Sequence, residues 1–282
     1  MNYRHAFHAG NFADVLKHVV LAKCVEHLNL KPAPWSYLDT HAGVGVYDLA
    51  GDEATRTGEW RNGVGRLKGR RLSEAAEALL APWRAALAAF EDGEAPGLYP
   101  GSPEIVRRLA RAGDRLRLCE MHPKDHKALV AAMDRDSRVK AVEIDGWTAL
   151  GAWLPPREKR GLVLIDPPFE QPDELARMAA AAAKAYAVWP TGTYLLWFPI
   201  KTGQEGRTLL TPLLSAGLGK LLRVELLVRA AGDPGVLAGS GLIVVNPPWT
   251  LAGGLAEGLP HLAQALAQTD GARAVVEPIG DA

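Results

Sequence analysis

The stretch Gly161-Leu162-Val163-Leu164-Ile165-Asp166-Pro167-Pro168-Phe169 decides how the rest of the chain is read. Its apolar run is too short for a buried helix and too uniform for a strand with one wet face. It is therefore a strand covered on both sides, as parallel strands are. Outward from it, similar runs at 35–39, 116–120, 139–145, 193–198, 222–228 and 241–246 also end in polar or turn residues. Helical patterns near 103–111, 123–133, 147–154, 172–188 and 207–214 fall between them. The alternation predicts an α/β fold: a Rossmann-like, seven-stranded, mostly parallel sheet whose last strand inserts antiparallel.

One interval breaks the rhythm. A βα unit needs about 30 residues, yet residues 40–115 separate the first two strands. Within that interval residues 73–90 show helical periodicity, with a break expected at Pro82. The chain is thus expected to divide into a main domain of residues 1–51 and 101–282 and an inserted small helical subdomain at 52–100. Ahead of the helix, residues 56–71 place Arg56, Arg61, Arg66, Lys68, Arg70 and Arg71 against a single acid, Glu59, beside Trp60. A second basic cluster follows at Arg107, Arg108, Arg111, Arg115 and Arg117. Lysine plus arginine equals aspartate plus glutamate at 32 each, so nucleic acid would have to be held by such local patches and not by a global field. The competing reading of each patch is a solvated face.

Composition narrows the class. A chain of 282 residues, 48% hydrophobic and 23% charged, has the makeup of a globular protein, not a disordered one. Cys24 and Cys119 offer neither a disulfide framework nor a metal-binding pair, which points to the reducing cytosol. The first 18 residues lack the apolar run of a signal peptide, and the alanine-rich stretch at 175–189 is interrupted by Arg177 and Lys184. A cytoplasmic protein without a membrane span is expected.

After the first strand comes Asp39-Thr40-His41-Ala42-Gly43-Val44-Gly45, a turn whose glycines allow positive φ and close approach of a ligand. A dinucleotide fingerprint would want glycine at position 48, where the sequence has Asp48. The next two strands end in Glu120 and Asp145-Gly146, at what would be the same carboxyl edge of the sheet, where ligands of open α/β sheets bind. A carboxylate after the second strand suits the two ribose hydroxyls of a nucleoside cofactor, and an Asp-Gly pair after the third can sit beside its adenine. Each acid taken singly also reads as a helix N-cap.

The Asp166-Pro167-Pro168-Phe169 turn carries the chemistry. Prolines supply no backbone donor, so the Asp166 carboxylate and the Pro167 carbonyl are left to accept hydrogens from an exocyclic amine. Such acceptance aims the nitrogen lone pair at a methyl sulfonium. Phe169 would stack on a base drawn out of its helix. A second copy, Asn246-Pro247-Pro248-Trp249, ends the antiparallel strand. It is expected to face away from the cofactor and to be structural.

With these motifs in view the sequence resembles, from end to end, the bacterial 23S rRNA adenine-N6 methyltransferases of the RlmJ family. The resemblance rests on residues 3–11, 13–18, 38–43, 99–103 and 165–168. Phe169 departs from the tyrosine associated with the family. The resemblance implies a class I methyltransferase using S-adenosyl-L-methionine to methylate N6 of one adenine of 23S rRNA, the adenine numbered 2030. It implies that His18, His41, Ser102, Glu120, Asp145, Gly146 and Asp166 line the cofactor site, that Asp166 is catalytic and that Tyr3 touches the RNA. From the residues alone His18 is open: it can pair with Asp14 one turn away or join His5 and His8 around a metal, and no established ligand spacing favours the metal. No metal is expected, and the protein is expected to be monomeric. DNA adenine or protein glutamine methylation, and an RNA-binding module without turnover, are the competing functions.

Overall fold

A computed structural model describes residues 4–91, 97–133 and 136–280. Its strands are β1 (Ser36–Asp39), β2 (Val46–Asp48), β3 (Leu98–Pro100), β4 (Arg115–Cys119), β5 (Val139–Val142), β6 (Gly161–Ile165), β7 (Thr193–Ile200), β8 (Leu221–Leu227), β9 (Gly239–Val245) and β10 (Arg273–Ile279). Its helices are α1 (Phe12–Asn29), α2 (Asp52–Thr57), α3 (Glu74–Glu91), α4 (Ser102–Leu109), α5 (Pro123–Ala132), α6 (Gly146–Trp153), α7 (Glu174–Val188), α8 (Glu205–Ser215) and α9 (Leu251–Leu266).

The main sheet runs β10-β8-β9-β7-β6-β1-β4-β5. From β5 to β7 every pairing is parallel, and β9 lies antiparallel to both β7 and β8. Strand order reverses at β1, which pairs with β4 on one side and β6 on the other. A crevice therefore opens at the carboxyl ends of these three strands. Every residue of β1 and of β6 is buried, as strands covered on both faces must be. One face carries a core that includes residues of α1, α3 and α9, and the other a core with residues of α6, α7 and α8.

The sheet has eight strands, one more than expected. The eighth, β10, pairs antiparallel along β8. It is half-exposed at the sheet edge and contains Pro278, so it shows no continuous apolar run. Two long helices also escape periodicity. Helix α1 is buried around most of its circumference, so no polar stripe marks it. Helix α9 contains Gly253, Gly254, Gly258 and Pro260, which lower local propensity. The break expected at Pro82 does not occur, and α3 runs through it. Leu79, Leu80, Trp83, Ala86 and Leu87 are buried in the core beside α1 and α9. Burial of this row outweighs the roughly 3 kcal/mol that an interior proline costs.

The segment between β2 and β3, which pair as a small antiparallel ribbon, holds α2, two 3-10 turns and α3. Leu67, Leu79, Leu80 and Trp83 from this segment share the core with α1 and α9.

Candidate active site

Four strand ends and one helix build the site. Beyond β1, Gly43 and Gly45 adopt positive φ, and a Cβ on Gly43 would lie 2.1 Å from the Tyr47 hydroxyl. Beyond β5, Asp145 caps α6 by accepting from the Thr148 amide at 3.0 Å. A Cβ on Gly146 would meet the Thr40 carbonyl oxygen at 2.1 Å, so only glycine lets these loops touch. Beyond β4, the Glu120 carboxylate accepts from the backbone N–H of Gly43 at 2.9 Å and of His122 at 2.8 Å. Two amides occupy two of its four acceptor positions, leaving two for a vicinal diol. Burial pushes the Glu120 carboxyl up, against those two donors.

These loops line a cleft that is open to solvent. Of the expected residues, His18, His41, Ser102, Glu120, Asp145, Gly146, Asp166 and Pro167 all line it. Asp125, Met121, His5 and Lys17 line it as well. Ser102 donates to Asp39 at 2.6 Å and so braces the turn. Asp39 also accepts from Tyr37 Oη at 2.7 Å. Burial raises the Asp39 carboxyl to about 6 despite these two hydroxyls.

Asp166 follows β6 directly and is gripped by Lys17, whose Nζ lies 2.6 Å from Oδ2. Lys17 also pairs with Asp14 at 2.9 Å. Asp14 in turn contacts His5 Nε2 and the Gly10 amide, each at 2.9 Å. Burial opposes both charges, but Asp14 and Asp166 together hold Lys17 well above the usual ammonium range, while His5, Lys17 and His18 hold Asp14 well below the carboxylate range. His18 shares 2.8 Å with Tyr99 Oη, and its Nε2 is 3.9 Å from Asp14. Burial lowers His18 to about 3 and His41 to about 4, so both imidazoles are neutral at pH 7. The α1 network was not legible as a unit, because its partners lie up to 149 residues apart. The spacings of Asp14 to Lys17 and to His18, about one helical turn each, are its local signals. Among the described residues no group of three or more His, Cys, Asp and Glu could hold a metal.

Of the two remaining expected contacts, one lies outside the described residues and the other falls elsewhere. Tyr3 lies outside the described residues. Phe169 adopts φ 50°, and its ring packs T-shaped on Trp197 at 5.6 Å, so it is not among the residues lining the cleft. The left-handed turn after the two prolines carries this side chain to the core on the α7 side, where it packs. Asn246 closes β9 at the opposite end of the sheet. Its Nδ2 donates to the carbonyls of Pro190 and Gly192, both at 2.8 Å.

The second basic cluster is consumed internally. Arg107 and Arg108 bind Glu104, Arg111 binds Asp114 and the Lys31 and Ala33 carbonyls, Arg115 binds backbone carbonyls, and Arg117 lies over Trp153. In the first cluster Arg66 donates to the Ala267 carbonyl, whereas Arg56, Arg61, Lys68, Arg70 and Arg71 are exposed.

A switch-point cleft walled by acids at successive strand ends, in a sheet with this order, is the construction of a Rossmann-like α/β methyltransferase. The family model "Ribosomal RNA large subunit methyltransferase D, RlmJ" matches residues 32–277. Ribosomal RNA large subunit methyltransferase J of Haemophilus influenzae is 40% identical over 266 residues, 94% of each chain. The Escherichia coli protein of the same name is 40% identical over 262 residues, covering 93% of this chain and 92% of its own length. A crystal structure of a Legionella pneumophila protein superposes with a TM-score of 0.86 at 30% identity, covering 96% of this chain and 98% of that one. The chain belongs to the RlmJ family of ribosomal RNA large subunit methyltransferases.

Proposed function

We propose that the protein methylates N6 of one adenine in 23S rRNA, with S-adenosyl-L-methionine bound in the cleft and Asp166 as the catalytic residue. The observation that carries this reading is the position of Asp166 and Pro167, at the mouth of β6 and on the wall of the cleft that Glu120 and Asp145 also form. The lining suits a cationic nucleoside. Glu120, Asp125, Asp145 and Asp166 face one ammonium, Lys17, and three imidazoles, of which burial keeps those of His18 and His41 neutral at pH 7. Such a wall repels a pyrophosphate and attracts a sulfonium.

Within this reading Glu120 would hold the ribose hydroxyls, and Asp145 and Gly146 would sit beside the adenine. The cofactor supplies an electrophilic methyl group when bound. The protein's part is positioning: Asp166 and the Pro167 carbonyl accept hydrogen bonds from the amine and orient its lone pair, and Asp166 takes the proton that the nitrogen sheds on methylation. Lys17 fixes the Asp166 carboxylate. Its neighbours His18, His41 and Ser102 shape the cleft wall, and the role expected of Tyr3 toward the RNA is kept as part of the proposal. The division into residues 1–51 and 101–282 with an insertion at 52–100 assigns cofactor binding to the first and RNA contact to the exposed cations of the second. A monomer acting in the cytoplasm fits this reading. Among the described residues no helix is long and apolar enough to cross a membrane.

Calorimetry tests the cofactor assignment. S-adenosyl-L-methionine or its demethylated product should bind and NADH should not. Tight NADH binding without binding of either methionine derivative would overturn it.

A further inference from the structure

The motif that the active site leaves unused lines a groove of its own. Asn246, Pro247, Pro248 and Trp249 line it together with Cys24, His27, Lys31, Lys159 and Arg160. Trp249 is 83% exposed, the most exposed of the large hydrophobic side chains among the described residues. Its only ring contact there is edge-on to His27, at 6.3 Å. A bare indole held by a proline-stiffened turn presents a flat face without needing to be ordered first.

The charge around it has one sign. Lys31, Lys159 and Arg160 line the groove, and no Asp or Glu does so among the described residues. Arg160 donates to the carbonyls of Ala33 at 2.6 Å and Leu28 at 3.1 Å, and it makes no ion pair among the described residues. His27 reports the field: burial, then Lys31 and Arg160, hold it below the ordinary imidazole range. Cations interleaved with an exposed aromatic ring are what a single-stranded nucleic acid recognises, through phosphates and a stacked base.

Two elements connect the groove to the catalytic cleft. Strand β6 begins at Gly161 in the groove and delivers Asp166 to the cleft, about 16 Å at the rise of a parallel strand. Helix α1 carries Lys17 and His18 in the cleft and Cys24 and His27 in the groove, about 15 Å from Lys17 to His27 at the helical rise. The two sites thus sit at opposite ends of the same rigid elements, within reach of one folded RNA.

We infer that this groove is a second RNA contact, in which Trp249 stacks on an unpaired base while Lys31, Lys159 and Arg160 hold the neighbouring phosphates. The inference rests on RNA being the substrate. It gives the Asn246-Pro247-Pro248-Trp249 motif a substrate-gripping role distant from the chemistry.

The test is fluorescence anisotropy of a labelled single-stranded oligouridylate of about 12 nucleotides, a length that fits known stacking sites. The proteins compared are the full chain, Trp249→Ala, Trp249→Phe and the Lys31→Glu/Lys159→Glu pair. Trp249→Ala should weaken binding about 5- to 150-fold and Trp249→Phe should retain most of it. The charge pair should lower the salt slope by about 1.4. Because these side chains are exposed, melting temperatures should be unchanged. Oligouridylate bound equally well by wild type and Trp249→Ala, or an unchanged slope in the charge pair, overturns the inference. That would include the case where the groove docks a protein instead. Methylation of 23S rRNA by the wild type is measured alongside: if it proceeds, only the groove is lost, and if no RNA is methylated or bound, the substrate reading falls as well.

Discussion

At Asp166 the chemistry and the fold are tied together. Truncation to alanine would leave the buried Lys17 with Asp14 alone and take away its acceptor at 2.6 Å, and a buried donor left unsatisfied costs about 1–3 kcal/mol. Asp166→Asn is therefore the cleaner probe. It retains shape and one acceptor, and should lower the single-turnover rate by orders of magnitude while the protein still melts cooperatively. A variant with near-normal turnover would remove Asp166 from the catalytic role. The two neutral imidazoles make a second prediction. The folded values of His18 and His41, about 3 and about 4, lie below the unfolded value near 6.5. Their contribution is complete above about pH 6.5 and is lost as pH falls toward those folded values, because the unfolded chain takes up protons first. Asp39, raised to about 6, works the other way between about pH 6 and 4. In His18→Asn the acid-side slope of unfolding free energy should shrink by about 1.4 kcal/mol per pH unit. Denaturant titrations from pH 7 to 4.5 measure it, and an unchanged slope would contradict burial as the cause. Asp166 was legible because the prolines, the strand before it and the acids before that lie in simple order. Lys17 was not, since Asp166 stands 149 residues away, and its spacing from Asp14 marks an ordinary helical pair and not a buried one.

At the scale of elements, the basic stretch after α2 and the Asn246 turn separate charge from scaffold. Arg66 reaches the Ala267 carbonyl after α9 and belongs to the fold. Lys68, Arg70 and Arg71 are exposed and should meet phosphate. Neutralising these three should reduce the salt slope of rRNA binding by about 2, at roughly 0.7 per contact. An unchanged slope would leave the segment a solvated loop. Asn246 holds a left-handed φ of 50° and donates twice to the chain before β7. Asn246→Ala should cost about 1–3 kcal/mol in thermal or denaturant melts and leave the chemical step intact. Loss of that step in a well-folded variant would make this the catalytic motif instead. Parallel strands were readable because burial on two faces leaves an apolar run in the sequence. The strand β10 and the helices α1 and α9 were not, because edge exposure, all-round burial and interior glycines erase the periodicities by which elements are recognised.

For the whole molecule, one sheet carries a cleft at its carboxyl edge and a basic groove at the other, joined by β6 and α1. The insertion between β2 and β3 contributes buried side chains to the main core, so its removal should unfold more than itself. The central claim is that this architecture moves a methyl group from S-adenosyl-L-methionine to an adenine amine in large-subunit rRNA. It is tested most directly by incubating the protein with methyl-labelled cofactor and separate pools of 23S rRNA, DNA and protein, then digesting each pool and identifying the labelled product. The account predicts label in the rRNA pool alone, recovered as N6-methyladenosine and absent with Asp166→Asn. Label recovered in DNA, in protein glutamine or in any other nucleoside would contradict it.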